Sequence, residues 1–241
     1  MLKKLLITLA IFILITQNFV VAQQNIISVP SSDVLPAGNI ILKQSNKISP
    51  FDNGYASLTP RIIVGTGKDT EMSLGVGTKI RKHSSDVNLN IAAKKVFKIK
   101  KSTRVTIGGN IIPSFTEGKN PNSLLYAHTS YLSKKTKTTL TAGAYVAGYG
   151  QTPSSSGAII GIDQSIVSNK LRIAADWMSG TESWGALSAG FKYRPVPTTS
   201  ITTAIIVPNN NDSVIFALSV SQYLGKVFNK EPKSKDGKDS L

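Results

Sequence analysis

The sequence contains no cysteine and has few aromatic and acidic residues. Without cysteine, neither a disulfide framework nor a cysteine-ligated zinc site can form. Aromatic residues make up 7% of the chain, and 13 acidic residues stand against 28 basic ones, which gives a net charge of +15. A chain this basic favours polyanionic neighbours or anionic solutes. Beyond residue 22, no apolar run is long enough to cross a membrane as a helix.

The first residues have the layout of a secretory signal peptide. Lys3 and Lys4 precede an apolar run from Leu5 to Ile15, and the tripeptide VVA ends the segment with a small residue. This layout predicts cleavage after Ala22, with an uncleaved anchor as the alternative. Removing the segment lowers the net charge from +15 to +13, because it carries two lysines and no acid.

The remainder shows no lasting helical spacing. Short segments rich in Val, Ile, Thr, Ala and Tyr alternate between apolar and polar residues and are separated by turn residues, which is typical of β-strands. Their length approaches the roughly 9–11 residues of a transmembrane strand and exceeds the soluble average of about 5–6. The predicted strands are 39–45, 56–65, 70–80, 86–96, 103–113, 124–133, 138–149, 157–166, 170–178, 184–194, 198–208 and 213–224.

The connectors between these strands roughly alternate in length. TGKD, KKTK, VSN and PVP are tight, whereas NKISPFDNGY, RKHSS, SFTEGKNPNS, GQTPSSS, SGTES and NNND are longer. An up-and-down barrel in an outer membrane alternates short turns with longer outer loops in this way. Pro60 falls inside a predicted strand, where it predicts a bulge or a strand start, because proline lacks the amide donor.

The stretch LRIAADWM raises the question of whether the apolar face of each strand packs in a core or faces lipid. Leu171, Ile173, Ala175 and Trp177 share one face, while Arg172 and Asp176 share the other. In a soluble β-sandwich the apolar face would be the core, and in a membrane barrel it would face lipid. The apolar side chains are mostly moderate in size, and a lipid-facing surface does not need the dense packing of a core.

A signal peptide followed by alternating strands of about ten residues resembles bacterial outer-membrane β-barrel (porin-like) proteins as a class. The resemblance covers most of the mature chain and rests on pattern alone. It implies an all-β fold, a transmembrane up-and-down antiparallel β-barrel of about twelve strands. The predicted organisation is a signal peptide over 1–22, an N-terminal lead-in over 23–38, a barrel over 39–225 and a disordered charged tail over 226–241.

If the apolar faces meet lipid, a set of charged and polar side chains points into the barrel. A lysine or arginine facing lipid at mid-depth would cost about 2–4 kcal/mol, which explains why these groups keep to one face. They could line a pore and set its ion preference, or they could pair with one another as a structural network, with Arg172 and Asp176 as one such pair. The pore-lining candidates are Glu71, Lys79, Lys94, His128, Asp163, Arg172, Asp176 and Lys192.

No catalytic constellation is recognisable. His128 and Ser130 share a strand face, but no orienting acid and no G-x-S-x-G motif accompany them. His83 lies in a predicted loop, so two scattered histidines give no support to a zinc site. GTGKD and GYGQ lack the spacing of a phosphate-binding loop. We therefore expect no enzyme activity and no cofactor, and an exported chain is not expected to bind nucleic acid.

These observations predict passive diffusion of small solutes through an outer-membrane barrel, with anions as the candidate preference. The expected partners are outer-membrane lipid, small solutes and lipopolysaccharide, whose phosphates the basic loops RKH and GKN could attract. Two alternatives stay open. The barrel could be closed by its side chains and serve as a structural or surface protein, or the chain could be a soluble secreted β-sandwich or lipocalin-like binding protein.

Overall fold

The structure is a computed structural model that describes residues 25–226 except 52–53, 117–120, 150–151, 169, 182–183 and 211. The signal peptide over 1–22 and, apart from Lys226, the charged tail lie outside these residues and stay predictions. Within the described ranges, no helix is long and apolar enough to cross a membrane.

Twelve antiparallel strands form one closed barrel. Each strand pairs with the next along the chain, and the pairing of the first strand with the last closes the sheet. The prediction of an up-and-down barrel is confirmed. The strands are β1 (Asn39–Ser49), β2 (Tyr55–Gly67), β3 (Thr70–Arg81), β4 (Ser85–Lys98), β5 (Thr103–Ile112), β6 (Asn122–Ser133), β7 (Thr138–Tyr149), β8 (Thr152–Val167), β9 (Leu171–Met178), β10 (Ala186–Val196), β11 (Thr199–Pro208) and β12 (Ile215–Lys226).

The apolar side chains of the barrel point outward. Leu74 is 53% exposed, Ile160 54% and Phe191 58%, and similar residues encircle the sheet. In the stretch LRIAADWM, Ile173 lies on the exposed side while Asp176 is buried inside. A soluble sandwich or lipocalin would turn its apolar face inward. The alternation therefore gives a closed barrel with an apolar outer surface, which does not fit a soluble β-sandwich or a lipocalin-like binding protein.

The two ends of the barrel differ in their connections. The near end, where β1 begins and β12 ends, carries the turns 68–69, 99–102, 134–137, 168–170 and 197–198, and the opposite, far end carries the other connections. In the turn of residues 68–69, Lys68 and Asp69 have φ of 49° and 57°. Two successive residues with positive φ make a type I′ turn, which matches the twist of a tight hairpin.

Three local predictions are wrong. β1 continues to Ser49, and β8 begins at Thr152, so part of the stretch GQTPSSS is strand rather than loop. Pro60 lies inside β2 without a bulge, because pairing with β3 passes from Leu58 opposite Thr78 to Arg61 opposite Gly75 in one register. The missing amide is accommodated by interrupted pairing, and the irregularity of this strand pair lies at Gly65 and Gly67 instead.

Residues 25–38, here called the inner segment, run through the barrel interior, and only Pro36 and Ala37 at the near end are exposed. At one end of the segment, Ile26 and Val29 are buried in a cluster with inward-facing residues of the barrel wall, among them Tyr145 on β7 and Ile159 on β8. At the other end, Leu35 is buried with Ile41, Ile63 and Tyr223. The segment that the sequence predicted as a lead-in is therefore part of the barrel interior.

Candidate functional site in the barrel interior

A large cavity opens in the interior towards the far end. Its volume is about 820 Å³, and it is lined by inward-facing residues of several strands, by Trp184 and by Ile27, Ser28 and Pro30 of the inner segment. We call it the far cavity. Because charged and polar side chains line it alongside apolar ones, it can hold water and hydrophilic solutes.

One wall of the far cavity, formed by β1, β2 and β3, is basic. Lys43 lies directly opposite Arg61 in the strand register, and Lys47 lies further along β1 towards the far end. Among the described residues, no carboxylate is within ion-pair distance of these three cations. Closer to the far end, Lys79 lies 3.7 Å from the centre of the Tyr55 ring, a cation–π contact.

The basic wall, defined as Lys43, Lys47 and Arg61, is accompanied by amide side chains on β4 and β5. Asn88, Asn90 and Asn110 line the same cavity. The side-chain oxygens of Asn90 and Asn110 have no hydrogen-bond partner in the described part of the chain. The cavity therefore offers positive charge together with amide groups that can hydrogen-bond to hydroxyls.

Asp176 on β9 holds the inner segment through three consecutive backbone amides. One of its oxygens accepts hydrogen bonds from the N–H groups of Ile27, Ser28 and Val29, at 2.6, 2.8 and 3.0 Å. The hydroxyls of Ser28 and Ser188 lie 2.8 Å apart beside it. These three donors satisfy Oδ2, whereas the buried Oδ1 of Asp176 has no hydrogen-bond partner among the described residues.

Asp163 on β8 gathers two cations from neighbouring strands. Lys192 on β10 lies 2.9 Å away, and Arg172 on β9 forms a second ion pair with the same carboxylate. Lys192 also donates a hydrogen bond to the carbonyl of Asn25, at 2.8 Å. The expected pair of Arg172 with Asp176 is wrong, because the register brings Arg172 to Asp163 while the inner segment occupies Asp176.

Glu71 on β3 and Lys94 on β4 hold the opposite end of the inner segment. They form an ion pair of 3.4 Å in which both side chains are buried. Glu71 accepts a hydrogen bond from the Leu35 amide at 3.1 Å, and Lys94 donates one to the Ser31 carbonyl at 3.2 Å. Both residues therefore bind the segment as well as each other.

His128 and Ser130 on β6 lie under the middle of the segment. The His128 ring stacks on that of Tyr126, and its Nδ1 is 3.5 Å from the Ser130 hydroxyl. That hydroxyl lies 2.8 Å from the hydroxyls of both Thr141 and Ser32. In the part of the chain that is described, no group of three His, Cys, Asp or Glu could hold a metal ion. The arrangement is a buried hydrogen-bond network around the inner segment.

The inner segment separates the far cavity from a smaller one. The smaller cavity has a volume of about 130 Å³ and is lined by Arg104, Leu132 and Thr139 at the near end, and by Ser31 to Asp33 of the segment. The two cavities share no lining residue. The inner segment therefore lies between these two cavities in this conformation.

All eight residues predicted to line a pore point into the barrel, but only Lys79 is remote from the inner segment and the network that holds it. The prediction did not include the three cations of the basic wall. A signal for them exists in the sequence, because Lys43 and Lys47 alternate with Leu42 and Ile48 in the same way as the selected residues do in their strands. Lys47 lies beyond residue 45, where the predicted first strand ends, whereas Lys43 and Arg61 lie inside predicted strands and were omitted from the prediction.

The barrel is similar in fold to solved outer-membrane channels. A KdgM porin in complex with disordered oligogalacturonate is 13% identical, with a TM-score of 0.53 over 76% of this chain and 98% of that one. An outer membrane channel from Pseudomonas putida F1 is 11% identical, with a TM-score of 0.54 over 80% of this chain and 98% of that one. No family model and no curated protein sequence matches the chain. At these identities the likeness establishes the fold.

Proposed function

We propose that the protein is an outer-membrane channel for the passive diffusion of small anionic solutes, which enter by the far cavity. The observation that carries this proposal is the basic wall of Lys43, Lys47 and Arg61, which has no acidic partner among the described residues. Unpaired charges of one sign in a cavity walled by protein raise the local concentration of counter-ions. An anion entering from the far end therefore meets an attractive potential.

The fold neighbours support the same proposal. Among them is the KdgM porin, which was solved with oligogalacturonate, a chain that carries both carboxylates and hydroxyls. The far cavity offers cations for carboxylates and the amides of Asn88, Asn90 and Asn110 for hydroxyls. Small sugar acids are thus suitable test solutes. In this proposal the near end, with its short turns, faces the periplasm.

The test is ion selectivity of the refolded protein in a planar bilayer under a salt gradient. We expect discrete conductance steps whose reversal potential indicates anion preference. The triple variant K43E/K47E/R61E should move the reversal potential towards cation preference, because it inverts the charge of the basic wall.

A matched control carries the same change in net charge outside the interior. Lys100, Lys101 and Lys135 are exposed in near-end turns, so K100E/K101E/K135E should leave the reversal potential almost unchanged. Equal shifts in both triple variants would show that the basic wall does not set the selectivity. The absence of steps in the wild type and in every variant that inserts would contradict the channel.

A closed structural barrel is the second candidate, because the inner segment separates the two cavities. The two candidates differ in what they require of this segment. A channel needs it to move, whereas a structural barrel needs it to stay.

A further inference from the structure

We propose that the inner segment is a gate, which closes the channel in the conformation described here and opens it by leaving the barrel interior as a unit. This inference rests on the proposed channel function and assigns its regulation to residues 25–38. The segment crosses the interior from the β1–β3 wall, where Leu35 is anchored, to the β8–β10 wall, where Asp176 and Ser188 hold Ile27 to Val29.

The contacts that hold the segment are mostly hydrogen bonds, which can break and form again. Barrel carboxylates accept from its amides, as at Asp176 and Glu71, and barrel cations donate to its carbonyls, as at Lys192 and Lys94. Its apolar anchors are few and lie near its two ends. Water can replace hydrogen bonds of this kind, whereas it cannot replace a dense apolar core.

The wall that the segment would leave behind is already largely neutralised. Asp163 keeps Lys192 and Arg172 as partners, and Glu71 keeps Lys94, because these ion pairs lie within the barrel sheet. The carboxylate that depends most on the segment is Asp176, which accepts its three amides. Opening would therefore expose the ion pairs and the Asp176 carboxylate to water, which can replace the amides that Asp176 loses.

The segment also has a hinge. Gly38 has a φ of 76° and donates a backbone hydrogen bond to Gly65 at 2.8 Å, directly before β1 begins. A positive φ of this size suits glycine, which joins the segment to the wall through a tight turn. If cleavage occurs after Ala22, as the sequence predicts, the segment would begin close to the amino terminus. Only its Gly38 end would then be joined covalently to the barrel wall.

An engineered disulfide can test this gate by locking it. Because the natural chain contains no cysteine, two introduced cysteines have no other thiol to pair with in the same chain. The Ser28 and Ser188 hydroxyls are 2.8 Å apart, so S28C/S188C brings two thiols within reach of a bond of about 2.05 Å between segment and wall. We expect oxidation to abolish the conductance steps and a reducing agent to restore them. Intact mass and electrophoretic mobility establish that each form is folded and cross-linked.

The matched control cross-links the wall without touching the segment. Ser45 and Ser219 lie opposite each other across the β1–β12 seam, with their hydroxyls 3.0 Å apart. Oxidised S45C/S219C should conduct like its reduced form. Steps that persist unchanged in oxidised S28C/S188C would overturn the gate and leave the channel intact.

A second variant loosens the gate instead of locking it. In D176A the three amides of the segment lose their common acceptor, so we expect the open probability to rise about tenfold or more. D212A, which removes an exposed carboxylate at the far end, is the control and should leave it unchanged. An unchanged open probability in D176A would count against the gate. The absence of steps in every form, reduced S28C/S188C and D176A included, would overturn both the gate and the channel.

Discussion

The charges around the inner segment and the charges of the far cavity lie on the same inward face of one barrel, yet they are arranged in opposite ways. Around the segment, Asp163 is 1% exposed and Lys192 is 7% exposed, and they form an ion pair. In the far cavity, Lys43 and Arg61 face each other without an acid, and Lys47 is exposed to the cavity. Pairing follows burial in one region, and like charges are tolerated in the other.

Solvation explains the difference. A buried ion is costly unless partners of opposite charge or hydrogen-bond donors replace its water, as the two cations do at Asp163 and the three amides do at Asp176. A charge beside a hydrated cavity keeps much of its water and can remain unpaired. The comparison teaches that the buried charges around the inner segment are bound to it or to one another, whereas the cations of the basic wall are available to a solute.

The largest expected effect comes from breaking the buried network. D163N leaves Lys192 buried without its ion-pair partner and should lower the free energy of unfolding by about 3–5 kcal/mol. The comparison variant is D69N, which removes the partner of exposed Lys98 and should cost at most about 1 kcal/mol. Urea titrations of both proteins in lipid vesicles measure the difference. Similar losses in the two variants would show that burial does not govern the worth of these pairs.

A smaller effect is expected for fluorescence quenching in the far cavity, where the cations of the basic wall have no acidic partner. Trp184 lines the far cavity and Trp177 lies in β9 on the outward face, so W177F leaves one tryptophan as a probe of the cavity. Iodide should quench its fluorescence roughly threefold more strongly than caesium does, because the basic wall concentrates anions. K43E/K47E/R61E should remove this preference. Salt at about 1 M should weaken it in the W177F protein, since the screening length falls to about 3 Å.

This quenching measurement does not require an open gate, because the far cavity lies on the far side of the inner segment. Equal quenching by the two ions in the W177F protein at low salt would contradict the proposed anion attraction, whatever the conductance shows.

The smallest expected effect concerns stability in the far cavity. Lys43 and Arg61 are like charges directly opposite each other on neighbouring strands, so K43Q should raise the free energy of unfolding by about 0.2–1 kcal/mol. S45Q, at the next inward position of the same strand, relieves no repulsion and is the control. A loss of stability in K43Q, measured by the same urea titration, would mean that Lys43 has a structural partner.

Local patterns predicted most of the barrel but not the contacts inside it. The strand periods placed Glu71, Lys94 and Asp163 on the inner face correctly, because side-chain direction alternates with each residue. The partner of Arg172 was wrong, since pairing depends on the register of three strands and on what else fills the interior. The prediction of a bulge or strand start at Pro60 was wrong because it considered the proline alone. The long neighbouring strands keep the register across one missing amide.

By itself, the sequence determined the twelve strands, their order around the barrel and the face that each side chain takes, because these follow from a local period of two residues and short connections. Only the tertiary structure decided where residues 25–38 lie. Their sequence has no period, and the bonds that place them join groups far apart in the chain, such as the Ile27 amide and Asp176, which are separated by 149 positions. That placement divides the inward charges into those that bind the segment and those that are free to meet a solute.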